Sequence, residues 1–169
     1  PAVISDLPEK VITPQYCRLT PEQTALYESL IQTQLKNVLK AKDQLTRSAL
    51  VLKLLTALKQ VCNHPHVYDA AYQPDMMLSG KTAALMQLLE EILAVGEKTL
   101  IFSQYTQTLF LLQQLIRAQF GDEPLVLHGQ MPLSARKAAV DAFQNDPSRR
   151  IFLISLKAGG TGLNLTAAS

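Results

Sequence analysis

The stretch Ile151-Phe152-Leu153-Ile154-Ser155-Leu156-Lys157-Ala158-Gly159-Gly160-Thr161-Gly162-Leu163-Asn164 decides how the rest of the chain is read. Its first four residues form an apolar run too short for a helix, the pattern of a strand buried on both faces. A glycine-rich loop follows. Three glycines within four residues permit positive φ and present backbone N–H groups to a ligand. Lys157 adds positive charge, and Ser155 and Thr161 add hydroxyls. This is chemistry for a phosphate, on a nucleotide or on a nucleic-acid backbone. A turn with only a structural role accounts for the glycines equally well. The loop is not the dinucleotide fingerprint, because Gly160-x-Gly162 lacks the third glycine.

Working outward, Thr99-Leu100-Ile101-Phe102 and Leu125-Val126-Leu127 are two more short apolar runs. Helical spacing fills the gaps, over Thr106 to Phe120 with Gly121 as its stop, and over Ser134 to Gln144 with Ser134 as cap. Strand, helix, strand, helix, strand predicts a parallel sheet covered by helices. All three strands then end on one rim, where open α/β sheets place ligands. Ser103-Gln104-Tyr105 follows the first strand. Gln104 and Tyr105 suit a phosphate or sugar, while Ser103 or Thr106 also serves as a helix cap. His128-Gly129 follows the second. His128 has no evident Ser/Asp partner for catalysis, so it reads as a phosphate contact or as a hydrogen-bonded strand-end histidine. Arg149-Arg150, before the third strand, reads as a solvated turn.

Upstream the pattern changes. Residues 1–19 hold Pro1, Pro8 and Pro14 and predict an extended lead-in with a strand over 11–19. Thr20-Pro21-Glu22-Gln23 is a helix start: Thr as cap, Pro at the first position, Gln at the third. Leu26, Leu30, Ile31, Leu35 and Val38 continue one helical face, and Leu50, Leu54, Leu55, Leu58 and Val61 repeat it until Pro65. Such leucine-rich helices are ordinarily core. Residues 63–79 predict a connector, and Leu85, Leu88, Leu89 and Ile92 mark a third helix closed by Gly96. The expected division is 1–79, lead-in and helical block, and 80–169, the α/β part.

Composition narrows the function. The 169 residues carry 16 Lys+Arg against 14 Asp+Glu, a net charge of +2, divided evenly between the two halves. A polybasic domain holding nucleic acid by bulk charge is excluded; a local phosphate-binding edge is not. No apolar run reaches the ~18 residues of a membrane span. Two cysteines make neither a disulfide framework nor a four-thiolate zinc site and suit a reducing cytosol. Gly80-Lys81-Thr82 imitates the end of a P-loop, but position 75 is Asp75, so it reads as a helix start capped by Ser79. Cys62, His64 and His66 stand too close together, with no second ligand pair, and read as a helix-terminating turn packed on the core. A chain that opens on Pro1 and stops just past a glycine loop has the look of a piece of a longer protein.

The segments TLIFSQY (Thr99 to Tyr105), Leu127-His128-Gly129, Phe143-Gln144 and IFLISLKAGGTGLNLTAAS (Ile151 to Ser169) closely resemble the second RecA-like lobe of Swi/Snf-family ATPases. These are superfamily-two, helicase-like, DNA-translocating enzymes. LKQVCNHP (Leu58 to Pro65), and Leu7-Pro8-Glu9-Lys10 with Thr20-Pro21-Glu22-Gln23 and Tyr27, resemble the segments leading into that lobe. The insertion-free form looks more like a bacterial member than a eukaryotic remodeller.

The resemblance implies a RecA-like parallel sheet with flanking helices, preceded by a helical lead-in, and an incomplete lobe. It implies a parent enzyme that hydrolyses ATP with Mg²⁺ and moves on double-stranded DNA. Gln104, His128, Gly129, Lys157 and Gly159 fall on the DNA side by this likeness, and Gly160, Gly162 and Asn164 on the nucleotide side. Phe143 and Cys62 remain packing. ATP and Mg²⁺ would be held mainly by a first lobe, and the sixth motif with its arginine finger would follow Ser169. The chain alone is therefore expected to lack ATPase activity and to hold no catalytic or metal-ligating residue. Partners implied are duplex DNA, the first lobe and a DNA-bound protein target, in the cytoplasm or on a nucleoid. A bare sheet edge predicts self-association. Two other readings are a protein-docking module built on residues 20–62 and a lobe of an RNA-directed helicase.

Overall fold

The computed structural model describes residues 11–160, 163 and 165–168. Residues 11–20 adopt no regular structure, so the strand expected over 11–19 is absent. Helix α1 (Pro21–Lys40) starts at Thr20 with the reciprocal capping box read from the sequence. The Thr20 hydroxyl accepts from Gln23 N–H, and the Gln23 side-chain oxygen accepts from Thr20 N–H, both at 3.1 Å. Helix α2 (Gln44–Asn63) runs back along α1, capped by the Asp43 carboxylate. Leu30 of α1 meets Leu58 and Val61 of α2 in a small apolar core.

The connector is more ordered than its composition suggests. Pro65–Tyr68 forms a single helical turn, α3, and Met76–Leu78 a 3₁₀ turn. His64 organises both. Its Nδ1 accepts from His66 N–H at 3.0 Å, which leaves Nε2 to donate to the Asp75 carbonyl at 2.7 Å. Helix α4 (Gly80–Ala94) is capped by the Ser79 side chain, as read. Gly96, at φ +77°, closes it: Gly96 N–H bonds Leu93 O and Glu97 N–H bonds Ile92 O.

The α/β part follows the expected order: β1 (Thr99–Ser103), α5 (Thr106–Phe120), β2 (Leu125–Leu127), α6 (Leu133–Asn145), β3 (Ile151–Ser155) and a four-residue turn of helix α7 (Leu156–Gly159). The three strands are parallel in the order β1–β3–β2. The last strand in sequence is thus the central one, and all five of its residues are buried. Its side chains alternate between two cores. Ile151 and Leu153 pack with Met86 and Leu89 of α4 and Leu109, Leu112 and Ile116 of α5. Phe152 and Ile154 pack with Leu127, Phe143 of α6 and Ala158.

Two expected caps differ. Helix α6 begins one residue earlier, after Pro132, so Ser134 lies inside the helix and caps nothing. Helix α5 has no side-chain cap; Ser103 Oγ instead accepts from Tyr105 N–H at 3.2 Å and shapes the strand-to-helix turn. The Arg149-Arg150 pair is not simply solvated. Arg150 clasps both carboxylate oxygens of Asp122 at 3.1 and 2.8 Å and reaches Leu93 O, tying the start of β3 to the ends of α4 and α5. No helix among the described residues is long and apolar enough to cross a membrane.

Candidate nucleic-acid interface at the strand ends

The register of the sheet builds the rim. Ser103 is paired with Ser155, and Leu127 with Ile154, so His128 leaves β2 beside the point where Ser155 ends β3. Neighbouring strands lie ~4.8 Å apart, so three of them make a rim roughly 10 Å wide. Gln104, His128 and the segment 155–160 share it.

Gln104 is exposed at the turn after β1, and Tyr105 is half-buried beside it. The His128 ring stands edge-on to Phe110, centroids 5.4 Å apart, and its Nδ1 is buried with no partner among the described residues. The hydroxyl of Ser155, a residue only 4% exposed, is likewise buried and has no partner among the described residues. Buried polar groups are almost always paired, and an unpaired one costs ~1–3 kcal/mol. Both of these atoms stand at adjoining strand ends.

Beyond Ser155 the loop turns as helix α7 rather than as a left-handed glycine turn. Lys157 is exposed, while Ala158 fills the second core. Gly160 has φ −70°, and among the described residues only Gly96 and Gly121 take positive φ. Gly159 serves close approach instead: a Cβ there would lie 3.1 Å from the Phe102 ring and 3.4 Å from Ile154 Cγ2. Gly129 has open space around it, and its carbonyl accepts from Arg136. Arg136 also bonds Met131 O at 3.0 Å, so it holds the turn that carries His128-Gly129. Sequence reading did not find this arginine, because its partners are main-chain atoms that no motif displays. Gly162 and Asn164 lie outside the described residues.

In the Cys62-His64-His66 cluster both histidines bond main-chain atoms, His64 Nε2 the Asp75 carbonyl and His66 Nδ1 the Tyr72 carbonyl at 2.6 Å. Burial holds the His64 imidazole below its ordinary pKa, which keeps it neutral. Among the described residues no group of three His, Cys, Asp or Glu side chains stands where it would hold a metal ion. The donor set of the rim is therefore hydroxyl, imidazole, amide and ammonium, which suits phosphate oxygens and does not by itself suit Mg²⁺.

Residues 80–169 match the helicase conserved C-terminal domain. The protein YwqA of Bacillus subtilis is 37% identical over 170 residues, covering 99% of this chain and 18% of its own length. The mouse SWI/SNF-related matrix-associated actin-dependent regulator of chromatin subfamily A member 1 is 36% identical over 176 residues, 98% of this chain and 16% of the mouse protein. The Sulfolobus solfataricus SWI2/SNF2 ATPase core in complex with dsDNA superposes with a TM-score of 0.87 at 32% identity, over 98% of this chain and 35% of that one. The chain spans less than a fifth of the length of these two curated relatives. It belongs to the helicase C-terminal domain family, on its SWI2/SNF2 ATPase branch, and its fold is the RecA-like lobe of that branch.

Proposed function

We propose that this chain is the DNA-gripping face of the second lobe in an ATP-dependent double-stranded DNA translocase. The observation that carries the reading is a pair of buried groups without partners among the described residues, His128 Nδ1 and Ser155 Oγ, on one rim with exposed Gln104 and Lys157. A phosphodiester backbone passing over the rim offers acceptors and no base code, which fits a motor that must step along any sequence. Gln104, His128, Gly129, Lys157 and Gly159 face that backbone in this reading. Gly160, with Gly162 and Asn164, faces the nucleotide. In this reading ATP supplies the free energy for stepping and is held with Mg²⁺ mainly by a first lobe. The 169-residue chain then binds DNA without hydrolysing ATP. The division into 1–79 and 80–169 follows the same reading, with the helical block as a support for α4.

The parent enzyme tests this. Lys157→Ala and Gly160→Ala should each lower its DNA-stimulated ATPase at least tenfold, with duplex DNA stimulating and duplex RNA inert. Gly160 has negative φ, and among the described residues no atom met by an added Cβ is closer than 3.9 Å, so alanine there is accommodated. Full stimulated activity in both variants overturns the site assignment. Equal stimulation by RNA overturns the choice of substrate.

A further inference from the structure

A cleft of about 470 Å³ lies between the second half of α2, Lys81 of α4 and the end of β1. Lys59, Asn63, Lys81, Gln104 and Tyr105 line it, and Phe102 is part of its wall. Among the described residues no carboxylate lines this cleft. Lys81 Nζ donates to the Asn63 side-chain oxygen at 3.2 Å, a neutral partner that leaves its charge uncompensated. Lys59 is exposed and takes part in none of the ion pairs among the described residues. Two like charges on one cleft repel, and a polyanion between them removes that cost. The even charge count along the sequence hides this, because it is a local arrangement of residues 22 positions apart (81 against 59).

Position supplies the second support. Gln104 and Tyr105 belong to the cleft and to the strand-end rim alike. The strand order β2–β3–β1 means that a backbone laid from His128 past Lys157 reaches Gln104 last, and the cleft opens there. A DNA strand rises ~3.4 Å per nucleotide, so a rim roughly 10 Å wide meets only about three phosphates. We infer that the cleft between α2, α4 and β1 is a second phosphate-backbone contact, in which Lys59 and Lys81 hold the DNA strand as it leaves the rim. The inference rests on the DNA reading of the rim.

The test is duplex binding by the 169-residue chain, followed by fluorescence anisotropy across a salt series with two duplexes of unrelated sequence. Each phosphate-neutralising lysine contributes ~0.9 to the slope of log K against log salt. Lys59→Gln and Lys81→Gln should each flatten that slope by about one, equally on both sequences, and the double variant by about two. Lys59→Arg and Lys81→Arg should retain it. Lys53→Gln, on α2 outside the cleft, should not change it. An unchanged slope in the double variant, with Lys157→Ala still weakening binding, overturns the cleft and leaves the rim standing. An equal loss in Lys53→Gln reduces the effect to bulk charge and also overturns it. So does a double variant that keeps its DNA slope but loses an acidic helical peptide or a fluorescent ATP analogue. A wild-type chain that binds no duplex overturns rim and cleft together.

Discussion

The main-chain carbonyl oxygen of Arg18 lies 2.0 Å from where a Cβ on residue 80 would stand, so Gly80 is the only residue type that fits against the lead-in. Its reason is neither a turn nor a phosphate. The chain before α1 crosses the first residue of α4, and the crossing leaves no room for a methyl group. In an open helix position Gly→Ala gains ~1 kcal/mol. Here Gly80→Ala should instead lose about 3 kcal/mol, because main chain must move. Urea denaturation of wild type and variant reads the sign directly.

Gln23 joins the same two parts. It is fully buried, completes the capping box, donates from Nε2 to Val61 O at 2.7 Å and accepts from Gly80 N–H at 3.3 Å. Gln23→Met keeps the volume and strands these groups, each at ~1–3 kcal/mol. A loss of about 3 kcal/mol is expected by chemical denaturation. Thr20→Ala, which removes the hydroxyl that caps α1 and bonds Leu78 O, should cost only ~1 kcal/mol.

Stability should fall with acid through His64. Burial depresses its pKa in the folded chain, so the unfolded chain binds the proton first as pH drops. The native state is therefore fully favoured above the ordinary histidine pKa near 6.5 and weakens as pH falls from there toward the depressed value. Denaturation midpoints measured at pH 7.5 and 5.5 should show the loss, and His64→Gln should flatten the difference. A wild-type midpoint that does not move would remove this assignment.

Ser155 should separate stability from function. Its hydroxyl is buried without a partner among the described residues, so Ser155→Ala removes an unsatisfied group and should raise stability by ~1 kcal/mol or more. If the rim holds phosphate, the same change should weaken duplex binding about fivefold, equivalent to one hydrogen bond of ~1 kcal/mol. Thermal melts and anisotropy on the one variant give both readings.

Most of the architecture was legible locally. The capping box at Thr20 and Gln23, the glycine stops at Gly96 and Gly121, and the short apolar runs are properties of a few consecutive residues, and each appears where the pattern puts it. The misreadings share a different origin. Ser134 has the side chain of a cap but sits inside α6, because Pro132 already fixes the entry of the chain. Arg149-Arg150 looks solvated until the fold brings Asp122, just past α5, to Arg150 at the start of β3. Helix α2 carries leucines all round, yet Leu45 and Leu52 are 82% and 65% exposed, since α1 covers only one side.

The sequence by itself determined the β-α-β-α-β order, the parallel sheet and the membership of one rim by Gln104, His128 and Lys157. Periodicity, caps and strand ends are set by neighbours in the chain. Only the tertiary structure decided that β3 is the central strand, that Gly80 and Gly159 are there for close approach, and that Lys59 and Lys81 share one cleft beside Gln104. Each of these depends on atoms far apart in sequence meeting within a few ångströms, where volume, buried polarity and charge act without regard to chain order.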